Sequence, residues 1–581
     1  MTICPARPGS PPLRAPQEDQ SVLVVPPLEE VDTLVRQNVR HRNEQQYDFH
    51  GRSLAALAAA ARADLIREAR RWTAAYTSST RQQVGTEDGM GKTHSLARRA
   101  CISCSCRSID PLPEDATDRV FLAGHQPQLF HPGVWLKNFA LGSLAEKHGA
   151  VAVNLLIDSD TAKQTALRVP GLEGGQLHVG MLPFDSPQPR LPYEQRPVVD
   201  AKRFAAFGRR VAERIRPLVA KPLIETYWPM VLKRMEILGP AAPGSLGAAL
   251  AQARHQLERQ WGLQTLEVPQ SRVCDTPSFR WFAAHLLAQL PRLHQCYNAA
   301  VRQYRRKQGI RSHAHPVPDL ASDGSWLEAP FWVWTVADPR RRPLFARQRG
   351  REILLSDRRG LEVCLPLASE GDLGAAVERL AQAAEQGVKI RCRALITTLW
   401  ARLLLGDLFI HGIGGAKYDR VADSLIETFF GLRAPCFLVL SGTMHLPRPD
   451  DMACGSADSP AEELRRVRRQ LRDLQYHPER WIDASPAPTS SSAAAARWVE
   501  QKRHWIRTPQ TRENARTRCQ AIRQANERLQ PLVERHRRTL QRRLADAEQA
   551  LRADAILTWR EYAFCLHSEP AFRRFVERVL G

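Results

Sequence analysis

The stretch "RVFLAGHQPQLFHPGVWLKNFALGSLAEKHGAVAVNLLIDSD", residues 119–160, decides the fold. A short apolar run at 119–123 predicts a buried strand, and a polar loop follows it. A helix comes next, with Pro132 near its start and Gly149 just past its end, where each residue type is favoured. The apolar run at 150–157 is typical of a strand buried on both faces. The stretch therefore predicts one β-α-β unit.

The same order returns in "GDLFIHGIGGAKYDRVADSLIETFFGLRAPCFLVL", residues 406–440. Strands are predicted at 408–411 and 436–440, with a glycine-rich loop and a helix between them. Two such units indicate an α/β fold with an open, mostly parallel sheet that carries helices on its faces. Because loop-helix crossovers favour parallel neighbours, all four strands are expected in that one sheet.

Composition and periodicity divide the rest of the chain. The region between the two halves of the core reads as helices and then antiparallel strands, with "RQRGRE" (347–352) as a turn. We predict a sparsely apolar, solvated long helix at 497–556, as a single helix or half of a helical hairpin. The predicted segments are a disordered N-terminus (1–27), an N-terminal helical region (28–115), the first half of the core (116–199), a helical and antiparallel insert (200–390), the second half of the core (391–447), a basic segment and linker (448–496) and a long, charged, coiled-coil-like helical region (497–581).

Charge and hydropathy bound the class of protein. The 581 residues carry a net charge of +22, which is compatible with a nucleic-acid partner. Biased use of arginine, spread over the chain, is the explanation that we favour. Apolar runs long enough to span a membrane are missing, and the first residues lack the apolar core of a signal peptide. We therefore expect a cytoplasmic protein without a membrane partner.

Two short motifs near residue 100 are set aside. "GMGKT" resembles the end of a phosphate-binding P-loop, but Thr86 stands where that motif requires glycine. The cluster Cys101, Cys104 and Cys106, with His94 upstream, forms only one of the two paired knuckles that zinc sites usually show. We predict no metal site, and we interpret most of the 12 cysteines as reduced thiols.

Ligands of open parallel sheets bind at the carboxyl ends of the strands, where both polar loops fall. Glycines there allow close approach to a ligand, and helix N-termini suit phosphate or carboxylate groups. Lys417 lies in a first helical turn, where a cation opposes the helix dipole unless an anion compensates. The candidate catalytic residues are His125, Asp158 and Asp160, and the candidate ligand-binding residues are Gly124, Gln126, His131, His411, Gly412, Gly414, Gly415 and Lys417.

Each candidate also has a structural interpretation. The two aspartates suit metal binding, ribose-hydroxyl binding or general-base catalysis. Alternatively, Asp160 caps a helix and the pair forms a turn. For His125 the alternative is a buried histidine whose hydrogen bonds are satisfied within the protein.

Together these landmarks resemble the bacillithiol-biosynthesis cysteine-adding enzymes, a family with a Rossmann-like core, a connecting insert and a coiled-coil part. The resemblance covers about 100 residues in two segments and the order of the parts. In the first segment the matches are Gly124, Gln126, Leu129, Asp158 and Asp160, while His125, Trp135 and Ser159 depart from the pattern. In the second the matches are Phe409, Ile410, Gly412, Gly414 and Tyr418, with His411 and Gly415 as departures; "RAL" (393–395) resembles the arginine-proline-leucine that precedes it.

The resemblance implies a ligase-type enzyme that joins an amine, cysteine-like in the family, to a small acid or sugar-acid derivative. The departures fall on the proposed site and leave the substrate undefined. The cofactor is unknown, with a nucleotide as one candidate, and a homodimer is left open. Two alternatives stand beside this hypothesis: a nucleic-acid-binding protein acting through its arginine-rich C-terminal helices, and a ligand-binding relative without catalytic activity.

Overall fold

The computed structural model describes residues 13–77, 119–366, 372–448, 459–482 and 490–580. The cysteine cluster at 101–106, His94 and the "GMGKT" motif lie outside the described residues. The same holds for the first twelve residues of the segment predicted to be disordered.

The described residues contain fourteen strands. They are β1 (Ser21–Val25), β2 (Val120–His125), β3 (Val151–Leu156), β4 (Ala166–Glu173), β5 (Gln176–Pro183), β6 (Leu266–Pro269), β7 (Ser322–Asp323), β8 (Trp326–Thr335), β9 (Arg342–Arg349), β10 (Glu352–Ser356), β11 (Glu362–Pro366), β12 (Val388–Cys392), β13 (Leu408–His411) and β14 (Leu438–Thr443).

Seventeen α-helices lie in the same described ranges. They are α1 (Val31–Glu44), α2 (Leu54–Thr77), α3 (Pro132–His148), α4 (Ala201–Ile215), α5 (Ile224–Leu238), α6 (Ser245–Gln260), α7 (Gln270–Cys274), α8 (Pro277–Ala288), α9 (Leu290–Gln308), α10 (Gly374–Glu385), α11 (Ala394–Trp400), α12 (Ile413–Leu425), α13 (Pro460–Tyr476), α14 (Ser490–Arg507), α15 (Ala515–Leu529), α16 (Glu534–Leu557) and α17 (Glu569–Leu580). Two π-helical turns, at Ala401–Leu405 and Ile426–Phe430, follow α11 and α12.

The chain divides into two compact units. The first comprises Met1–Val169, Gly180–His445 and Arg560–Gly581, and the second Pro170–Val179 and Leu446–Trp559. Each unit is described by itself below.

A mostly parallel sheet organises the first unit. Its order is β1-β14-β13-β2-β3-β6, and every neighbouring pair except β1 and β14 is parallel. The four strands predicted from the two β-α-β stretches all belong to it, which confirms a mixed α/β fold with a mostly parallel sheet. The apolar runs explain this position, because strands at the centre of such a sheet are covered by helices on both faces.

Two strands of this sheet were not predicted. Residues 21–25 form β1, an edge strand antiparallel to β14, so the predicted disorder of 1–27 is wrong for this part. The β-branched residues of "SVLVV" favour a strand, but Pro26 and Pro27 follow it directly and masked this signal. Strand β6, at 266–269, adds a further parallel strand although it lies within the predicted insert.

A second, antiparallel sheet has the order β11-β10-β9-β8-β12, with β7 paired to β8. Strands β9 and β10 join at the predicted "RQRGRE" turn, where Arg349 pairs with Glu352. Apolar side chains from both sheets, such as Val153 and Val333, belong to one hydrophobic core. The antiparallel strands are therefore part of the same folded unit as the parallel sheet.

The second unit consists of paired helices. Helix α13 packs on α16 through Val467, Leu474, Val533 and Leu540, and α14 packs on α15. The prediction of one long helix at 497–556 is wrong, because the segment is divided among α14, α15 and α16. Pro509 and Pro531 lie in the two breaks, where the missing amide hydrogen and the fixed backbone angle of proline disfavour a continuous helix.

Candidate functional site

The direction in which strands are added to the parallel sheet reverses between β2 and β13. The chain places β3 and β6 on one side of β2, and then β13 and β14 on the other. Open parallel sheets bind their ligands at such a reversal, beyond the carboxyl ends of the strands. The loops that follow β2 and β13 are the two polar loops singled out in the sequence, so both border this crevice.

Lys137 is a buried cation beside the first loop. It lies on α3, and only 4% of the residue is exposed. Its Nζ atom donates a hydrogen bond to the carbonyl of Gly124 at 3.3 Å, and it forms no ion pair among the described residues. Desolvation lowers the pKa of Lys137 to about 8. A positive charge without a carboxylate partner therefore lies next to the crevice.

The charge of Lys137 reaches three candidate histidines. Burial, and then the charge of Lys137, lower the pKa of His125 to about 3. Burial, followed by the charges of Arg560 and Lys137, lowers the pKa of His131 to about 3. Burial also lowers the pKa of His411, although Asp419 opposes this effect. The imidazoles of His125 and His131 are thus neutral at pH 7 and act as hydrogen-bonding groups there.

The hydrogen bonds of the first loop give its histidines different roles. His125 Nδ1 lies 3.1 Å from the carbonyl of Gln126. His131 caps α3, because its Nδ1 accepts a hydrogen bond from the amide of Gly133 at 3.1 Å. A Cβ atom on Gly133 would lie only 2.1 Å from the carbonyl oxygen of Gly442, so α3 approaches β14 at backbone contact. The helix start is therefore fixed in position by packing as well as by the cap.

The second loop is held by a buried charge network. His411 Nε2 lies 2.6 Å from Asp419 Oδ2, and Arg402 donates to the same oxygen at 2.9 Å. A Cβ atom on Gly415 would approach His411 Nδ1 to 2.6 Å, which explains glycine at this position. Hence His411 and Gly415 shape the loop through mutual packing.

The remaining residues of the second loop are more exposed. Gly412 is the N-cap of α12, and a Cβ atom there would meet nothing within 4 Å. Gly414 and Lys417 are exposed. Lys417 makes no ion pair with any residue that the structure describes. The structure therefore does not join Lys417 to the other candidates.

The two aspartates after β3 lie in opposite electrostatic environments. Asp160 accepts a hydrogen bond from Gln126 Nε2 and another from Arg341, each at 3.0 Å. Burial raises the pKa of Asp160, but the Gln126 hydrogen bond and the charge of Arg341 outweigh it, so the pKa lies below its ordinary value. Asp160 is a stably ionised carboxylate that ties the first loop to the end of β3.

No cation among the described residues is in direct contact with the carboxylate of Asp158. Its carboxylate accepts hydrogen bonds from Ser271, at 2.9 Å from the amide and at 2.5 Å from the hydroxyl. Burial, and then repulsion from Glu194, raise the pKa of Asp158 to about 7. Near neutral pH this carboxyl therefore exists in both protonation states, as a general acid or base requires.

Glu194 is paired with a buried arginine. Arg391 donates to both of its carboxylate oxygens, at 2.8 and 3.0 Å, and to Asp275 at 2.9 Å. Arg391 comes from β12, so the second sheet supplies the cation that holds the carboxylate beside Asp158. The negative charge of Glu194 is thus a fixed part of the site.

A cavity of about 240 Å³ opens beside Asp158 and Glu194. The Nε1 atom of Trp72 is buried and has no hydrogen-bond partner among the described residues. The guanidinium of Arg272 lies 5.0 Å from the centre of the Trp72 ring. The lining residues are Trp72, Pro127, Leu156, Asp158, Tyr193, Glu194, Leu238, Ala242, Pro243, Gly244, Ser245, Gly247, Ala248, Pro269, Ser271 and Arg272.

The cavity offers two kinds of polar contact to a small molecule. Asp158 and Glu194 present negative charge to an amine or hydroxyl, whereas Arg272 and the indole N–H of Trp72 suit an anionic or hydrogen-bond-accepting group. Sequence reasoning missed all of these groups except Asp158. It missed Lys137 too, although one lysine inside the apolar helix "VWLKNFALGSL" is a readable signal.

Comparison with known proteins adds no name to this site. No protein-family model matches the chain, and no curated protein is similar enough to count as a match.

Among the described residues, no helix combines the length and the apolar character needed to cross a membrane. Within the same residues, histidine, cysteine, aspartate and glutamate side chains do not gather into a group of three that suits a metal ion.

Proposed function

We propose that this protein is a ligase-type enzyme that forms a carbon–nitrogen bond between an amine and a small acid or sugar-acid derivative. One observation carries the proposal: Asp158 is buried in the wall of a cavity, contacts no cation among the described residues, and has a pKa that burial and Glu194 raise to about 7. A base with this pKa is matched to accepting a proton at neutral pH. The choice of reaction class comes from the resemblance to the cysteine-adding enzymes.

The proposed proton transfer begins with an ammonium group in the cavity. Asp158 takes one proton from it, and the free amine attacks the activated carbonyl carbon of the acid. The acid is activated by a nucleotide, so the leaving group is a phosphate; it departs with its bonding electrons as the nitrogen–carbon bond forms, and it takes up the second proton of the nitrogen. Glu194, paired with Arg391, favours binding of the ammonium form. Its charge also strengthens Asp158 as a base, because it raises the energy of the neighbouring carboxylate.

The crevice between β2 and β13 is the proposed place for the anionic group of the second substrate or of a nucleotide. Lys137 supplies the compensating charge, and the N-terminus of α3 supplies a favourable dipole. The neutral His125 and His131 suit hydrogen bonds to phosphate or carboxylate oxygens. Asp160 and Gln126 hold the loop rather than take part in proton transfer.

The proposal also covers the location and the architecture of the enzyme. We propose that it is cytoplasmic, that the parallel sheet is a Rossmann-like core, and that the paired helices are its coiled-coil-like part. A ligand-binding relative without turnover is the second candidate, favoured by the departures at His125, Ser159 and Gly415. It predicts ligand binding that persists when the base at position 158 is neutralised.

Calorimetry of the full chain against amino acids, sugar acids and nucleotides, followed by product analysis by mass spectrometry, tests the proposal. We expect binding of at least one amine and one anion, and an amide product from that pair. Asp158→Asn should lower kcat by at least about 100-fold, since general-base catalysis contributes at least that factor. Glu146→Gln, an exposed carboxylate on α3, is the matched control and should leave kcat unchanged.

A pH profile separates catalysis from binding. Turnover by the unchanged protein should fall on the acid side with an apparent pKa near that of Asp158, about 7. If Asp158→Asn binds the amine and still turns over at an unchanged rate, Asp158 is not the base. If ligands bind to all variants and product never forms, the non-catalytic relative is the correct interpretation.

A further inference from the structure

The second unit contains a concentrated positive surface that the proposed chemistry does not use. Residues 459–482 and 490–557 hold 21 Lys and Arg against 11 Asp and Glu, a net charge of +10. Within α14, α15 and their connection, residues 490–529, the ratio is nine to three. The α14–α15 pair therefore carries +6 of this net charge of +10, which is most of it.

Four arginines gather where α14 ends and α15 begins. We name this surface the basic tip and define it as Arg503, Arg507, Arg512 and Arg516. All four are exposed, and none of them forms an ion pair or a side-chain hydrogen bond with a described residue. Glu513 is the one acidic residue between 503 and 516. The positive charge of the tip is therefore free to meet a polyanion.

Two effects at this surface would be relieved by a bound anion. Arg503 and Arg507 lie one helical turn apart on α14 and repel each other, although the helix dipole partly compensates in the last turn, which contains Arg507. Arg512 and Arg516 flank the N-terminus of α15, where the helix dipole favours negative charge. The first turn of α15 contains no acidic residue. A bound anion relieves both effects at once.

The neighbouring side chains suit a nucleic-acid strand. Trp505, which lies between Arg503 and Arg507 in the sequence, is half-buried, and Ile506 is 47% exposed. Guanidinium groups bind phosphates with two parallel hydrogen bonds, and an aromatic ring offers a surface on which a base stacks. An anionic membrane surface fits less well, because membrane-binding helices carry a broad apolar face and the tip offers these two side chains.

We propose that the basic tip binds the phosphate backbone of a nucleic-acid strand, independently of the ligase-type chemistry proposed for the first unit. The contact is electrostatic and carries little sequence preference. Its strength should fall with salt, because each phosphate that an arginine neutralises releases condensed counterions.

Fluorescence anisotropy of the full chain with a labelled single-stranded oligonucleotide tests this proposal. The variant R503Q/R507Q/R512Q/R516Q should bind at least about tenfold more weakly at low salt. Its plot of log K against log salt should be shallower by about 3, since each of four lost phosphate contacts contributes about 0.7 for a single strand. Circular dichroism checks that the helices of the variant are intact.

A matched variant tests whether position or total charge decides. R535Q/R538Q/R542Q/R552Q removes four exposed arginines from α16 and leaves the tip unchanged. At physiological salt, charges farther than about 8 Å from a bound strand are largely screened, so this control should retain its affinity within about threefold. Equal losses in both variants would overturn the assignment to the tip.

Two further results would overturn the proposal. One is an oligonucleotide affinity of the tip variant that equals that of the unchanged protein. The other is tip-dependent binding of phosphatidylserine vesicles without binding of the oligonucleotide, which would make the tip a membrane contact. If the proposal holds, Asp158→Asn should bind the oligonucleotide as strongly as the unchanged protein, because that residue belongs to the first unit.

Discussion

Replacing the two aspartates that follow β3 should change stability in opposite directions. Asp158 and Asp160 are two residues apart, yet burial and Glu194 raise the pKa of the first to about 7, whereas Gln126 and Arg341 bring the second below its ordinary value. Asp158→Asn removes an energetically unfavourable carboxylate, and Asp160→Asn removes a favourable one. Both changes keep the size and shape of the side chain.

The expected change in stability for Asp158→Asn follows from the shift in the pKa of Asp158. A rise from 3.8 to about 7 corresponds to at most about 4 kcal/mol of lost stability above pH 7, at about 1.4 kcal/mol per unit. The amide makes weaker hydrogen bonds with the Ser271 amide and hydroxyl, at a cost of about 1 kcal/mol each. Asp158→Asn should therefore raise the free energy of unfolding by about 2 kcal/mol at about pH 8.

The sign of the pH dependence distinguishes the two residues. The folded state binds the Asp158 proton more tightly than the unfolded state, so the gain from Asp158→Asn is present in full above pH 7 and disappears toward pH 4. The carboxylate of Asp160, by contrast, contributes stability above its unfolded pKa that is lost as the pH falls through its lowered folded pKa. Asp160→Asn should cost about 1 kcal/mol at about pH 8 and little under strongly acidic conditions.

Urea denaturation followed by circular dichroism measures both effects as shifts of the midpoint: at about pH 8 and about pH 4 for Asp158→Asn, and at about pH 8 and at a pH below the lowered folded pKa for Asp160→Asn. If Asp158→Asn raises the free energy of unfolding at about pH 8 and also abolishes turnover, Asp158 is a residue that lowers stability but is required for function. If Asp158→Asn destabilises the protein equally at both pH values, its carboxylate is satisfied by the fold. It would then not be the proposed base.

Two further substitutions test the crevice. Gly133→Ala should destabilise the protein by about 3 kcal/mol or more in thermal or urea unfolding, because its Cβ would lie 2.1 Å from the carbonyl oxygen of Gly442, whereas Gly412→Ala meets nothing within 4 Å and should stay within about 1 kcal/mol. Lys137→Met should raise the free energy of unfolding by about 1–3 kcal/mol at pH 7, and this gain should shrink as the pH rises from about 8 toward 10.5. The same substitution should abolish binding of the anionic ligand in calorimetry. Unchanged anion binding would exclude Lys137 from the site.

Local sequence patterns were sufficient for the centre of the sheet. Continuous apolar runs, bounded by proline and glycine, predicted β2, β3, β13 and β14, and the structure places all four in one sheet. The edge strand β1 and the short strand β6 were missed, since four or five residues among prolines or helices carry too little periodicity. Their pairing is decided by partners far away in the sequence: Val25 pairs with Val439, and Val153 with Leu266.

The sequence predicted a candidate site beyond the strand ends, but it could not predict the electrostatics there. The structure places both glycine-containing loops after parallel strands of one sheet, as their position in the sequence indicated. The difference between Asp158 and Asp160 depends instead on Glu194 and Arg341, which reach the site from other elements. The break between α14 and α15, in contrast, was readable in advance from Pro509.

Lys137 and Asp158 differ from several buried arginines of the first unit in how their charge is compensated. The buried cations Arg254, Arg391 and Arg402 each contact two carboxylates, which are Glu258 and Glu267, Glu194 and Asp275, and Asp419 and Asp423 respectively. In such networks the carboxylates compensate the free-energy cost of burying the arginine charge. Lys137 contacts only a carbonyl, and the carboxylate of Asp158 contacts only a serine, so the described residues leave both charges uncompensated. A ligand that brings an anion to Lys137 and an amine to Asp158 supplies the missing compensation, and this is why we assign these two residues, rather than the better-connected arginines, to the site.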